Sequence, residues 1–220
     1  MRLVIFDVDG TLVDSQNSIV EAQAMAFAAH GLAPASRERA LSVVGLSLPE
    51  AFRELAGVDG PVAGLCDAYK DAWTVLRQRP DYAEQLYPGA AETIAALASR
   101  PDLRLGLATG KSRKGVDRVF AAHGWHSIFA TVQTADDHPS KPDPGMLLAA
   151  LRDTGADAAD AIMVGDTTFD MAMALSAGVS AIGVGWGYHP VEALRASGAH
   201  TVVDDFAALR RRLERFAFGA

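Results

Sequence analysis

The amino-acid sequence predicts an α/β protein with a doubly wound parallel sheet and an inserted all-helical segment. From residue 103 onward, short apolar runs alternate with segments of helical spacing, as parallel strands alternate with their connecting helices. Between residues 15 and 84 the spacing is helical throughout, and no run has the pattern of a strand. We therefore expect a core formed by residues 1–14 and 85–220, and a helical cap formed by residues 15–84.

The first strand is predicted at residues 3–6, four consecutive apolar residues that end at Asp7. An unbroken apolar run of this kind is typical of a strand that helices bury on both faces. In extended chain Asp7 and Asp9 point the same way, and Gly10 permits a sharp turn after them. Because neighbouring carboxylates repel each other, a hard cation such as Mg²⁺ is the natural partner for this pair.

The helical cap is predicted to contain a series of helices and no strand. The first ends near Gly31, and the others cover residues 36–44, 49–56 and 62–77. They are separated by residues that interrupt regular structure, namely Gly45, Gly57, Gly60 and Pro61. The turn Tyr87-Pro88-Gly89 then returns the chain to the core, directly before a helix at residues 90–98.

The rest of the chain alternates regularly between strands and helices. Strands are predicted at residues 103–108, 128–134, 161–164, 180–184 and 201–203. Helices are predicted at residues 112–123, 143–153, 168–177, 191–196 and 206–216. Ligands of such sheets bind outside the carboxyl ends of the strands, so the residues at those ends are the candidates for function.

Groups suited to phosphate and Mg²⁺ follow the successive strands. A hydroxyl, two amides at a helix start and an ammonium can bind an anion, and two further carboxylates can bind a cation. Because the last two acids are four residues apart, they share a face once a helix has begun. These candidate residues are Thr109, Gly110, Lys111, Lys141, Asp166 and Asp170.

Composition narrows the class of partner. With 50% hydrophobic and 21% charged residues the chain resembles a globular protein, and its net charge of −7 disfavours nucleic acid and anionic membranes as partners. No apolar run reaches the roughly 18 residues that span a bilayer, and Asp7 interrupts any signal-peptide pattern, so we expect a cytoplasmic protein. The single Cys66 is interpreted as a small buried hydrophobe rather than a nucleophile.

Other interpretations of the motifs fit less well. An EF-hand loop would need a later glycine and a closing glutamate, which residues 7–18 lack. The glycines Gly183, Gly185 and Gly187 suggest a dinucleotide fingerprint. That fingerprint needs its third glycine three residues after Gly185, and Tyr188 stands at that position. Whether Trp186, Tyr188 and His189 line a site or only pack remains open at this stage.

Four motifs in this order resemble the haloacid dehalogenase superfamily, in its phosphatase branch with a helical cap of the C1 type. They are residues 7–14 (DVDGTLVD), 108–112 (ATGKS), 141–144 (KPDP) and 165–170 (GDTTFD). A weaker match, in the cap segment VGLSL at residues 44–48, favours the phosphoglycolate phosphatase-like members. The resemblance implies a Rossmann-like core and a small phosphorylated metabolite as substrate.

The resemblance also implies a role for each candidate. Asp7 would attack phosphorus, and Asp9 would carry the proton. Mg²⁺ would be held by Asp7, the main-chain carbonyl of Asp9 and Asp166, with Asp170 as a water-mediated or orienting group. Thr109 and Lys141 would assist catalysis. Phosphate and substrate would be bound by Gly10, Thr11, Gly110 and Lys111, and by the cap residues Gly45, Leu46 and Ser47.

Three functions are compatible with these motifs. The first is Mg²⁺-dependent hydrolysis of a small phosphomonoester such as phosphoglycolate, through an aspartyl-phosphate. The second keeps the acyl-phosphate but acts as a sugar phosphomutase or an inorganic pyrophosphatase. The third is a catalytically inactive phosphate-binding module, although no expected carboxylate is missing. A dehalogenase is disfavoured because Asp9 is present, and the sequence leaves open whether the protein is a monomer or a homodimer.

Overall fold

The computed structural model describes residues 1–79 and 84–218. In chain order its strands are β1 (Arg2–Phe6), β2 (Val13–Asp14), β3 (Gln85–Leu86), β4 (Leu103–Thr109), β5 (Thr131–Thr134), β6 (Ala161–Gly165), β7 (Ser180–Val184) and β8 (Thr201–Val203). Its α-helices are α1 (Gln16–Ala29), α2 (Arg37–Leu41), α3 (Leu48–Ala56), α4 (Val62–Leu76), α5 (Ala90–Ala98), α6 (Arg113–His123), α7 (Gly145–Thr154), α8 (Thr168–Ser176), α9 (Val191–Ala196) and α10 (Phe206–Phe218).

The core is a six-stranded parallel sheet in the order β5-β4-β1-β6-β7-β8. Strand β1 lies between β4 and β6, and the strand order reverses on either side of it. This arrangement confirms the predicted doubly wound α/β fold. It also brings the carboxyl ends of β1, β4 and β6 side by side, where the candidate residues follow.

Helices cover both faces of the sheet, as the unbroken apolar run of β1 predicts. Val4 and Phe6 pack into one core cluster, whereas Leu3 and Ile5 pack into the cluster on the other face. All four side chains are fully buried. Each such burial stabilises the fold by about 1.5–3 kcal/mol, so the strand that carries Asp7 is firmly anchored.

The helical cap contains α1 to α4 and has small apolar centres of its own. Ile19 of α1 packs with Trp73 of α4, and Phe27 packs with Phe52. The rings of Phe52 and Tyr69 meet edge to face with centroids 5.8 Å apart. These aromatic side chains thus pack helices α1, α3 and α4 against one another.

The chain passes between core and cap through a short antiparallel pair, β2 with β3. Each strand has only two residues, which is too few for a recognisable alternating pattern in the sequence. The prediction missed this pair for that reason.

Two predicted elements are shorter in the structure. The strand predicted at residues 128–134 is only Thr131–Thr134, because Phe129 leaves the sheet and stacks on Phe120 with centroids 5.4 Å apart. The helix predicted at residues 36–44 ends at Leu41, and the chain then turns through Gly45 at a φ of 101°. Among the described residues, none of the helices is long and apolar enough to cross a bilayer.

Candidate functional site

Three buried carboxylates meet at the carboxyl end of the sheet. Asp7 follows β1, Asp166 follows β6, and Asp170 lies in the first turn of α8. One oxygen from each lies within 4.8 Å of the others, and no side chain is more than 1% exposed. Carboxylate oxygens in this arrangement could hold a divalent metal ion.

Local hydrogen bonds fix two of these carboxylates. Asp166 accepts from the hydroxyl of Thr11 at 2.9 Å and from the backbone N–H of Tyr188 at 2.9 Å. Asp170 accepts from the hydroxyl of Thr167 at 2.7 Å and closes a capping box at the start of α8. Capping of the first turn of α8 is by itself enough to explain an acid at position 170. The same hydrogen bonds also orient the other carboxylate oxygen of Asp170.

Lys141 is the counter-ion of the cluster. Its buried Nζ donates to Asp170 Oδ1 at 2.6 Å and lies 3.1 Å from Asp7 Oδ1. Asp7 Oδ1 nevertheless accepts no aligned hydrogen bond within residues 1–79 and 84–218. One ammonium cannot balance three ionised carboxylates, so a cation beside Asp7 would satisfy both the charge and this free oxygen.

Burial and mutual repulsion set the protonation of the cluster. Burial raises the pKa of Asp7 from its ordinary 3.8 to about 6; Lys141 opposes this increase, and Asp170 adds to it. Burial also raises the pKa of Asp166 well above its ordinary value, with further increases from Asp170 and Asp7. A bound cation would replace the protons that otherwise relieve this repulsion.

We expect Mg²⁺ to stabilise the protein more at pH 7.5 than at pH 5. Because the folded pKa of Asp7 exceeds its unfolded value, its stabilising contribution is full below pH 4 and is lost as pH rises through about 6. The cation should restore this loss. At about 100 times its Kd it contributes about 2.7 kcal/mol, or a Tm increase of about 5–10 °C at pH 7.5.

The measurement is thermal unfolding at both pH values, with Mg²⁺ and with a chelator. Asp166→Asn should abolish the Mg²⁺ effect, whereas Asp157→Asn, at an exposed position without a side-chain cap bond, should leave it intact. An equal Tm increase at both pH values would contradict an acid cluster as the metal site.

Gly10 allows the chain to turn closely around Asp166. Its φ is 83°, and a Cβ there would lie 2.2 Å from Asp166 Oδ2. Both the backbone conformation and the missing side chain are therefore required. Gly10 and Thr11 thus lie against the carboxylate cluster, and their predicted contact with phosphate stays a prediction.

Gly10→Ala should therefore weaken metal binding as well as stability. Gly124 at the end of α6 also has a positive φ, of 70°, but a Cβ there would meet nothing within 4 Å. Gly124→Ala thus carries the backbone strain alone, about 1–2 kcal/mol. We expect both variants to lose Tm, and only Gly10→Ala to lose the Mg²⁺-dependent increase; matching losses of that increase would rule out a specific clash with Asp166.

The carboxylate of Asp9 does not join the metal cluster. It accepts from Ser15 Oγ at 2.7 Å and from Lys111 Nζ at 2.9 Å, and it lines the adjoining cavity. The side chains of Asp7 and Asp9 thus have different partners in the structure, and a cation held by Asp7 and the main-chain carbonyl of Asp9 stays a prediction. Lys111 draws Asp9 to the other side of the turn, and only the main-chain carbonyl of Asp9 is left for the metal.

Lys111 binds acids in this structure rather than standing free for phosphate. Its ammonium also donates to Glu84 Oε1 at 2.7 Å and lies 5.5 Å from the centroid of the Trp73 ring. Burial alone would lower the pKa of Lys111, but Asp9 and Glu84 outweigh burial and raise it. Lys111 thus links the core to the end of the helical cap.

Thr109 and Gly110 lie where the sequence places them, at the end of β4. The hydroxyl of Thr109 is buried and accepts from the backbone N–H of Lys111 at 3.2 Å. A Cβ at Gly110 would lie 2.6 Å from the carbonyl oxygen of Leu46 and 2.7 Å from that of Gly45. The backbone of the helical cap therefore rests directly on this strand end, which is possible only with glycine.

Further contacts hold the helical cap against the core. The backbone N–H of Ser47 donates to Ser140 Oγ at 2.7 Å. The His189 ring accepts from the Thr168 N–H at 3.1 Å and bonds to the Ser42 carbonyl at 3.2 Å. The predicted cap residues Gly45, Leu46 and Ser47 thus lie at the site.

The aromatic run after β7 both packs on the core, where the rings of Trp186 and Phe206 have centroids 4.6 Å apart, and contacts the turn that carries the carboxylates. The Trp186 indole N–H donates to the carbonyl oxygen of Thr11 at 3.1 Å, and the N–H of Tyr188 binds Asp166. A Cβ at Gly187 would lie 2.1 Å from the Cβ of Asp166. The closely spaced glycines of this run were the signal in the sequence for such a close approach.

A cavity of about 640 Å³ lies between the strand ends and the helical cap. Asp7, Asp9 and Thr109 line it on the core side. Its opposite wall holds cap residues that the sequence analysis missed as site residues, namely Gln23, Tyr69, Trp73 and Arg77. Helical spacing shows which residues share a face, but not that this face meets the strand ends.

Two further side chains of the cap wall matter for the chemistry of the cavity. Gln23 Oε1 is buried and accepts no hydrogen bond from the described residues. Cys66 is buried and free, and burial raises the pKa of its thiol, as expected for a packed side chain rather than a nucleophile. The wall therefore offers a free amide oxygen and an inert apolar surface.

The sequence matches the family described as haloacid dehalogenase-like hydrolase over residues 4–184. "Probable phosphatase IndB" of Dickeya dadantii (strain 3937) is 37% identical over 209 residues, covering 93% of this chain and 90% of that protein. A phosphoglycolate phosphatase of Agrobacterium fabrum is 33% identical over 212 residues, covering 94% and 90%. A crystal structure of a hydrolase from Pseudomonas syringae has a TM-score of 0.84 at 25% identity, covering 98% of this chain and 99% of that chain.

The family match includes the ends of β1, β4 and β6, and with them all three carboxylates of the cluster. The relatives extend the likeness over nearly the whole chain, including the helical cap. These findings confirm the resemblance drawn from the four motifs: the chain belongs to the haloacid dehalogenase-like hydrolase family.

Proposed function

We propose that this protein is a Mg²⁺-dependent phosphatase that hydrolyses a small phosphomonoester, of the phosphoglycolate type, through an aspartyl-phosphate. The observation that carries the proposal is the position of Asp7. Asp7 lines the cavity, and its buried Oδ1 accepts no aligned hydrogen bond from the described residues and lies beside Lys141 and two further buried carboxylates. Relatives named as phosphatases support the same chemistry.

The metal site fits the residues that are present. Asp7 and Asp166 would hold Mg²⁺ with the carbonyl of Asp9, and Asp170 would orient the site through Lys141 and Thr167. When bound, Mg²⁺ neutralises the charge that otherwise keeps a phosphate dianion away from carboxylates. Hard oxygen donors in a buried cluster are the set that this ion prefers.

The covalent chemistry assigns a separate role to each of the first two acids, Asp7 as nucleophile and Asp9 as proton carrier. An oxygen of Asp7 bonds to phosphorus while the bond to the substrate's leaving oxygen breaks, and Asp9 gives that oxygen a proton. In the second step Asp9 takes a proton from water, whose oxygen attacks phosphorus and releases Asp7 and phosphate. Asp9 lines the cavity, on the side where a leaving group has room.

The non-bridging oxygens of the transferred phosphoryl group would be bound by Thr109, Gly110 and Lys141. These groups provide a buried hydroxyl, a backbone N–H near a helix start and a buried ammonium. In a cavity that excludes water such donors stabilise developing charge strongly. Lys111 would reach phosphate only after its ammonium leaves Asp9. We therefore propose that Lys111 joins the core to the helical cap rather than binding phosphate.

The helical cap would control access. With the carbonyls of Gly45 and Leu46 against Gly110, substrate must enter when the cap moves away, and chemistry follows when it returns. Residues of the cap wall would then contact the part of the substrate that is not phosphate, and so set the choice of substrate.

A phosphate-release screen tests the proposal. The purified protein is assayed with Mg²⁺ and with a chelator against phosphoglycolate, sugar phosphates, nucleotides and pyrophosphate. We expect Mg²⁺-dependent release from small phosphomonoesters, with turnover of the better substrates in the range of about 1–10³ per second. Phosphate release from pyrophosphate alone would indicate a pyrophosphatase, and isomerisation of a sugar phosphate without phosphate release would indicate a phosphomutase. No reaction with any of these compounds would favour a binding module.

A further inference from the structure

Two arginines face the cavity at a distance from the metal cluster. Arg77 ends the inner face of α4 in the helical cap, and Arg118 lies on α6 of the core. Both side chains are half-buried and line the same cavity as Asp7 and Asp9. The proposed chemistry uses neither of them.

Arg77 is held in place but not satisfied. Its guanidinium carbon lies 4.8 Å from the centroid of the Trp73 ring, so the group is stacked on the indole. Its Nε is buried and donates to no acceptor within the described ranges. A planar donor group that is stacked and unpartnered is preorganised for a planar or tetrahedral anion.

Arg118 carries the second positive charge. It stands five residues after the first residue of α6, and its side chain has no hydrogen bond or ion pair with the described residues. Burial lowers the pKa of Arg77, and the charge of Arg118 lowers it further, against an opposing attraction to Glu84. The carboxylate of Glu84 is itself bound to Lys111.

Two guanidinium groups without an ion pair to the described residues on one cavity are unexpected in a chain with a net charge of −7. Their repulsion would be relieved by an anion between them, and the fork of donors on arginine matches carboxylate and phosphate oxygens. The surrounding wall offers aromatic surface from Trp73 and Tyr69 for a short carbon chain.

We propose that Arg77 and Arg118 bind a second anionic group of the substrate, so that the preferred substrate is a phosphomonoester whose far end carries a carboxylate or a second phosphate. This inference rests on the proposed function. Arg118 lies about 7.5 Å along α6 from the start of that helix, which favours a second group several bonds away from the phosphate that is transferred.

A matched series of ligands tests the inference. Phosphate esters of 2-hydroxyacetate, 3-hydroxypropionate and 4-hydroxybutyrate carry a terminal carboxylate at increasing distance, and ethyl, propyl and butyl phosphate are their neutral counterparts. Propane-1,3-diol bisphosphate provides a second phosphate in place of the carboxylate. Affinities for Asp7→Asn protein are measured by calorimetry with Mg²⁺, which needs no turnover, and KM and kcat are measured for the wild type.

We expect the anionic ligands to bind at least about 10-fold more tightly than their neutral counterparts. Arg118→Gln and Arg77→Gln should each weaken the binding of the anionic ligands about 10-fold, seen as a higher KM for the anionic esters, and should change the KM of the neutral esters less. Arg118→Lys should keep part of the preference for anionic ligands. Arg113→Gln is the matched control, since it removes an arginine of the same helix that lies outside the cavity wall.

Equal affinity for anionic and neutral ligands would overturn the inference, as would an equal effect of Arg113→Gln and Arg118→Gln. If no ester is hydrolysed but the affinity preference and its loss in Arg118→Gln remain, the proposed hydrolysis fails and the anion site stands. If esters of both kinds are hydrolysed without preference, the hydrolysis stands and the anion site fails.

Discussion

Asp7→Asn should fold normally and lose phosphate release by at least about 10⁴-fold, the size of effect that follows loss of a covalent nucleophile. The amide has nearly the shape of the carboxylate but is a very poor nucleophile. Removing its charge also relieves the repulsion from Asp166 and Asp170, so the metal-free variant should have a Tm no lower than that of the wild type.

The rate is measured by phosphate release with saturating Mg²⁺, and folding by circular dichroism. Asp157→Asn makes the same chemical change at an exposed position, and it should keep wild-type activity. Turnover at the wild-type rate by the Asp7→Asn protein would show that Asp7 is not the nucleophile. A folded, inactive Asp7→Asn protein that still binds substrate would support the assignment.

Lys141→Met should destabilise the metal-free protein by about 3–5 kcal/mol, because it leaves buried carboxylates without their counter-ion. The ammonium is completely buried between Asp7 and Asp170. Methionine has a similar length and leaves no large cavity. The loss should be smaller at pH 5 than at pH 7.5, since protonation of the carboxyls then removes the uncompensated charge.

Urea unfolding with a chelator at both pH values measures this loss. Lys70→Met removes an exposed lysine that pairs with Asp67 on α4, and should cost less than about 1 kcal/mol. Activity of Lys141→Met should fall as well, because a donor to the phosphate is lost. A change in unfolding free energy as small as that of Lys70→Met would show that Lys141 does not balance the cluster.

Much of the fold could be predicted because its strands are buried on both faces. The run before Asp7 and the helix at residues 90–98 have the bounds that periodicity indicates, within a residue. Errors occurred where tertiary packing decides the outcome. The ring of Phe129 stacks on Phe120 and leaves the sheet, and residues 42–46 turn to bring the cap backbone against Gly110.

The site could be predicted where it follows strand ends, since parallel strands bring their carboxyl ends together. Asp7, Thr109 and Asp166 are such residues. The pairing of Lys111 with Asp9 and Glu84 could not be predicted, because it depends on a close approach between segments far apart in the chain. The position of Arg77 in the cavity wall could not be predicted either, because it is set by how α4 lies over the core.

The pairing of β2 with β3 makes the helical cap an exchangeable module. Val13 is opposite Leu86 and Asp14 is opposite Gln85, so the chain leaves the core and returns to it at adjacent positions. A backbone hydrogen bond of 3.0 Å from Tyr87 to Leu12 continues this closure on the core side. Any inserted segment whose ends lie about 5 Å apart can be joined there without moving the sheet. Under the proposed function, replacement of this one module would change substrate choice while the acids and the lysine of the core stay in place.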